Sequence, residues 1–129
     1  MSDMKQQLDA ILKYERIVKS KSDSRDYRGL ELTNGLKCLL ISDPQTDFSA
    51  ASVEVCVGHL MDPVELPGLA HFCEHMLFMG SQKYPEENKF AKFIAEHSGS
   101  SNAFTDAERT NFHYDIEPSH FRESLDMFV

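Results

Sequence analysis

Apolar and polar residues alternate along much of this chain, and the breaks in that alternation mark out its elements. Leu30 and Leu32 alternate with polar neighbours on one side of Asn34-Gly35, and Leu36, Cys38 and Leu40 do so on the other. A type I′ turn needs positive φ at both central positions, so Asn-Gly between two such runs predicts a β-hairpin over residues 28–42, stopped by Asp43-Pro44. Ala51, Val53, Val55 and Val57 line one face of a further strand over residues 49–58, with Cys56 on its other face. Phe112, Tyr114 and Ile116 point inward from a strand over residues 110–116, while Asn111, His113 and Asp115 point outward. Before it, Gly99-Ser100-Ser101-Asn102-Ala103-Phe104-Thr105 reads as a strand of small residues, open to close approach by another backbone or simply an edge strand.

Elsewhere the apolar period lengthens to that of a helix. Pro67 and Gly80 bracket one such run, in which Leu69, Phe72, Cys73, Met76 and Met79 form a stripe expected to be buried. Pro85 opens a second helix, with Glu86 and Glu87 in its first turn, Phe90, Phe93, Ile94 and His97 on its inner stripe, and Gly99 at its end. Ser119 is placed to cap a third, whose stripe of Phe121, Leu125 and Phe128 reaches the last residue with no evident partner, so marginal stability is expected. Residues 1–26 differ from the rest. Met4, Leu8, Ile11, Leu12 and Tyr14 or Glu15 give a partial helical stripe followed by a polar run, which predicts a variable helical lead-in and linker. The order β-β-β-α-α-β-β-α over residues 27–129 defines an α+β class, an antiparallel-leaning sheet with helices packed on one face.

Composition narrows the function. A net charge of −8 argues against a nucleic-acid surface. No apolar run has the length of a membrane span, and the N-terminus lacks the apolar core of a secretory signal. Three cysteines without close pairing fit reduced thiols in a cytosolic protein.

The chemistry concentrates in the first helix. It contains His71-Phe72-Cys73-Glu74-His75, an H-x-x-E-H pattern. Residues four apart share a helix face, so the two imidazoles converge on one point where zinc accepts neutral nitrogen at about 2.0–2.1 Å. Glu74 flanks that face and is placed to take a proton from a metal-activated water. The plainer alternative is a buried helix with two incidental histidines. His59, His97 and His113 read as a loop residue, a stripe residue and a solvent-facing strand residue.

The pattern does not stand alone. Arg28-Gly29-Leu30-Glu31-Leu32, Ser42-Asp43-Pro44, the run from His71 to Gly80, Lys83-Tyr84-Pro85, and the run from Glu96 to Thr105 together resemble the M16 (inverzincin) metallopeptidase family, its insulysin-like branch in particular. The resemblance covers roughly residues 25–129. It implies a zinc-dependent metalloendopeptidase acting on short, unfolded or amyloidogenic peptides inside a chamber of homologous α+β domains. It also implies zinc on His71 and His75, Glu74 as catalytic base, Asn102, Ala103 and Phe104 along the substrate strand, and Phe78 lining the substrate pocket. Many family members are cytosolic and some forms reach mitochondria, which implies the same for this chain; a homo-oligomer is a further expected partner. The family's third zinc ligand is a glutamate on a later helix, expected beyond Val129. The chain is therefore expected to be an N-terminal piece, inactive by itself, whose partners include the remaining domains of the enzyme. The alternative is a non-catalytic M16-like module that binds peptides or other subunits.

Overall fold

The computed structural model describes residues 10–14 and 16–129. They divide into two compact units, with the boundary between Thr46 and Asp47.

The first unit is a three-stranded antiparallel sheet, β1 (Ala10–Tyr14), β2 (Asp26–Leu32) and β3 (Lys37–Ser42), in that order. The expected helical stripe is corrected here: Ala10 to Tyr14 pair with Leu32 to Gly29 as a strand. An isolated helix this short is marginal in water, whereas the free edge of β2 satisfies the backbone at once. Met4, Leu8 and Glu15 of that stripe lie outside the described residues. The hairpin forms where expected, with a different turn. Glu31 pairs with Lys37 and the Leu32 N–H donates to the Leu36 carbonyl at 2.9 Å, leaving a three-residue loop in which only Gly35 takes positive φ, at 84°. The Gly35 N–H donates to the Leu32 carbonyl and the Asn34 side chain accepts from the Leu36 N–H, at 2.9 and 3.0 Å. That is the geometry of a type I turn followed by a left-handed glycine. The polar run before β2 is held locally: Asp23 accepts hydrogen bonds from Arg25 and the Tyr27 hydroxyl, which keep its carboxyl well below the usual range.

The second unit places β4 (Ser49–Val55), β6 (Thr110–Ile116) and β5 (Ser100–Thr105) side by side, antiparallel, with β6 central. Three helices, α1 (Leu69–Leu77), α2 (Lys89–Glu96) and α3 (Phe121–Phe128), pack against this sheet. Alternation dictates which face they cover. Register pairs Tyr114 with Ala51 and Ser101, and Phe112 with Val53 and Ala103, so these side chains share the helix-bearing side. Ile94, Tyr114 and Ile116 are buried there, with Phe90, Phe93, Phe121 and Phe128 packed around them. The Tyr114 ring meets Phe90 and Phe128 edge-on at 5.4 and 4.9 Å. The α+β class and the inward set of β6 are as expected, although the strands form two sheets rather than one.

The helices differ from expectation in their ends and faces. α2 starts at Lys89 and not at Pro85, because Asn88 turns left-handed (φ 62°) directly before it. Ser98, not Gly99, takes the left-handed position after it. Gly99 answers a different need: a Cβ there would lie 2.1 Å from the Asp115 carbonyl oxygen. Gly99→Ala is expected to destabilise the unit by about 1–3 kcal/mol, the cost of overpacking, read as a lower denaturation midpoint. Ser119 does not cap α3; it lies in a 3-10 turn, and no side chain caps that helix. α3 is not unpartnered, since Phe121 and Phe128 join the core and the fully buried Ser124 donates to Tyr114 Oη at 3.0 Å. The stripe expected to be buried on α1 is instead left uncovered. Phe72 is 62% exposed, and Leu69, Cys73, Met76 and Met79 are exposed too. The helix has rolled so that its Glu74 side faces the sheet.

Candidate metal centre

α1 forms where Asp62 can hold its first turn. The Asp62 carboxylate accepts from the Gly68 and Ala70 amides at 2.6 and 2.9 Å, satisfying N–H groups that a helix start leaves open. These bonds, the one from Ala70 foremost, lower the Asp62 pKa below its ordinary 3.8. A depressed carboxyl stabilises the fold above its unfolded pKa and loses that contribution as pH falls through the folded value. Asp62→Asn is therefore expected to melt at a lower temperature than the natural chain at pH 7. The gap between their melting curves should shrink below about pH 4.

One turn into α1, His71 and His75 bring their Nε2 atoms to 3.1 Å, with ring centroids 4.7 Å apart. Two zinc bonds of about 2.0–2.1 Å at the tetrahedral angle require roughly 3.3 Å between donor nitrogens, so this spacing fits a shared ion with a shift of a few tenths of an ångström. Glu74 lies between them in sequence. Its side chain is buried, the residue being 7% exposed. Its Oε2 accepts a hydrogen bond from Thr105 Oγ1 at 2.6 Å. One donor atom from each of His71, Glu74 and His75 lies within 4.8 Å of the others. Among the described residues this is the one cluster of three metal-binding side chains. Both imidazoles are exposed, which leaves room for a further ligand and for a substrate. Neutral imidazole nitrogen is a donor zinc prefers, and the site fits that ion better than calcium or magnesium, which take oxygen.

The other candidate residues are spread around this point. Phe78 ends α1 half-buried, its ring 6.2 Å from Phe112. Ala103 lies on the helix-bearing side of β5, in register with Phe112, while Asn102 and Phe104 project from the opposite side. β5 is an edge strand of its sheet. Among the described residues no other histidine joins the cluster: His97 bonds the Phe93 carbonyl through Nδ1 at 2.7 Å, and His59 and His113 are exposed. Two polar contributors escaped the sequence reading. Asp62 is visible only as part of a turn-forming Asp-Pro pair. Thr105 shares the odd-numbered face of β5 with Ala103, but nothing local shows that it meets a carboxylate 31 positions earlier.

An antiparallel sheet backed by helices, with H-x-x-E-H on the helix beside the edge strand, defines a class of metallopeptidase. Residues 37–129 match the family profile for Insulinase (Peptidase family M16), and the chain belongs to that family. It is 57% identical over 115 residues to insulin-degrading enzyme of Mus musculus, covering 89% of this chain and 11% of that protein. It is 54% identical over 122 residues to the Drosophila melanogaster enzyme of the same name, covering 95% of this chain and 12% of that protein. A putative zinc protease of Caenorhabditis elegans is 53% identical over 117 residues, covering 91% of this chain and 14% of its own. The fold superimposes on the crystal structure of pitrilysin with a TM-score of 0.85 at 42% identity, over 88% of this chain and 12% of pitrilysin. The chain thus spans about a tenth of the length of these relatives. Among the described residues no helix is long and apolar enough to cross a membrane.

Proposed function

We propose that this chain supplies the metal-binding helix and the substrate-strand edge of a zinc metalloendopeptidase acting on short, unfolded or amyloidogenic peptides. The observation that carries the reading is the convergence of the His71 and His75 nitrogens, 3.1 Å apart, with an oxygen of the buried Glu74 carboxylate within 4.8 Å. His71 and His75 are the residues that hold the ion. When bound, zinc supplies Lewis-acid chemistry, polarising a scissile carbonyl and lowering the pKa of a water towards about 7. Glu74 takes a proton from the attacking water and later passes it to the leaving amine. The exposed edge of β5 offers N–H and C=O groups to an extended peptide, which adds as a further strand along Asn102, Ala103 and Phe104. Phe78 lines the substrate side near Phe112.

A catalytic zinc usually takes three protein ligands, so the reading calls for one from a later domain of the same enzyme. Those domains are the first partners we assign; a homo-oligomer is the second. We place the enzyme in the cytosol, with a mitochondrial form, in keeping with its free cysteines. Metal analysis of the complete natural protein, combined with a fluorogenic peptide assay, tests the reading. One zinc per chain and cleavage abolished by a chelator are expected. Cleavage that survives full removal of the metal would overturn it.

A further inference from the structure

We infer that Thr105 is a positioning residue for the reaction, fixing the Glu74 carboxylate on the substrate strand itself; this rests on the role of base given to Glu74 above. A carboxylate only accepts, so the Thr105 hydroxyl must donate, and 2.6 Å between the oxygens is the length of a hydrogen bond from a hydroxyl to a carboxylate. The hydroxyl is free to do so. Its neighbour Thr110 Oγ1, 3.4 Å away, donates to the Val57 carbonyl at 2.8 Å and leaves the Thr105 proton to Glu74. Thr110 and Glu74 are both buried and Thr105 is half-buried, so the contact is partly shielded from water.

The location gives the contact its consequence. Thr105 is the last residue of β5 and pairs with Thr110, the first residue of β6, so its backbone is clamped in the sheet. Glu74 belongs to another element, and a carboxylate has rotamers to choose from. The bond to Thr105 selects one of them and sets its distance from the edge along which a peptide lies. It also takes one lone pair of Oε2, which leaves Oε1 the freer oxygen for the proton leaving the water. A base held to within about half an ångström by a neighbour that never touches substrate is how such sites keep their geometry.

The test uses Thr105→Val, which keeps the branched shape and removes the donor, and Thr105→Ser, which restores it. In the complete natural protein, Thr105→Val is expected to lower kcat by about 10–100-fold, the usual cost of losing a partner that orients a site group. KM, zinc per chain and melting temperature should stay near those of the natural protein, and Thr105→Ser should recover most of the rate. In a Glu74→Gln background the valine change should cost nothing further. Crystal structures of the metal-free variants give a readout independent of turnover. The Glu74 carboxylate should leave its position in Thr105→Val and keep it in Thr105→Ser. An unmoved carboxylate, an unchanged kcat, or a loss tracking melting temperature and unrecovered by serine would each overturn the inference while leaving the zinc reading intact. A natural protein with neither zinc nor cleavage would overturn both.

Discussion

Glu74→Gln in the complete protein is expected to retain one zinc per chain while kcat falls by about 10²–10⁴-fold, the usual contribution of a positioned acid–base group. The substitution is nearly isosteric. Gln still offers an oxygen to Thr105 Oγ1, now 2.6 Å from Glu74 Oε2, so the side chain has reason to stay in place. What it loses is the capacity to take a proton. Because Glu74 is buried and held by Thr105 while both imidazoles are exposed, metal retention and turnover should separate. Metal analysis and steady-state kinetics on one sample check this. A variant that lost zinc in step with activity would make Glu74 a ligand, and a variant with full activity would remove it from the mechanism.

His71→Ala and His75→Ala are expected to have a comparably large effect by a different route. Each removes one of two nitrogens that the helix delivers to the same point, 3.1 Å apart. The remaining imidazole has lost its chelate partner, and the zinc dissociation constant should rise by more than the roughly 10–100-fold that follows loss of a group one bond further out. Binding that favours the folded form also stabilises it, so both variants should lose the zinc-dependent rise in melting temperature. Both side chains are exposed, so the apo proteins should melt near the natural apo protein. Competition titration against a zinc-binding dye, with thermal melts with and without metal, measures both effects. Unchanged affinity in either variant would place the ion elsewhere.

The parts legible in the sequence are those set by short-range period. The alternation in Thr110–Ile116 gave the correct inward set, Phe112, Tyr114 and Ile116, because a strand fixes its two faces residue by residue. The four-residue spacing of His71 and His75 gave the pairing of nitrogens for the same reason. What stayed hidden depends on contacts distant in sequence. Nothing within Ala10–Tyr14 announces that the edge of β2 will draw it into a sheet. The apolar stripe of α1 reads as a core face, yet the helix presents Glu74 to the sheet, where Thr105 satisfies its charge. An amphipathic stripe says which side of a helix is oily, not what lies opposite it. The same holds for α3, whose Phe121 and Phe128 find Tyr114 on the central strand.

The proposed centre is two imidazoles one turn apart gripping an ion beside a buried carboxylate, and zinc X-ray absorption spectroscopy on the complete protein tests this most directly. The natural protein is expected to show nitrogen scatterers at about 2.0–2.1 Å with the outer-shell signature of two imidazole rings, falling to one ring in His71→Gln and in His75→Gln. A two-ring signature that persists unchanged in both variants would contradict it.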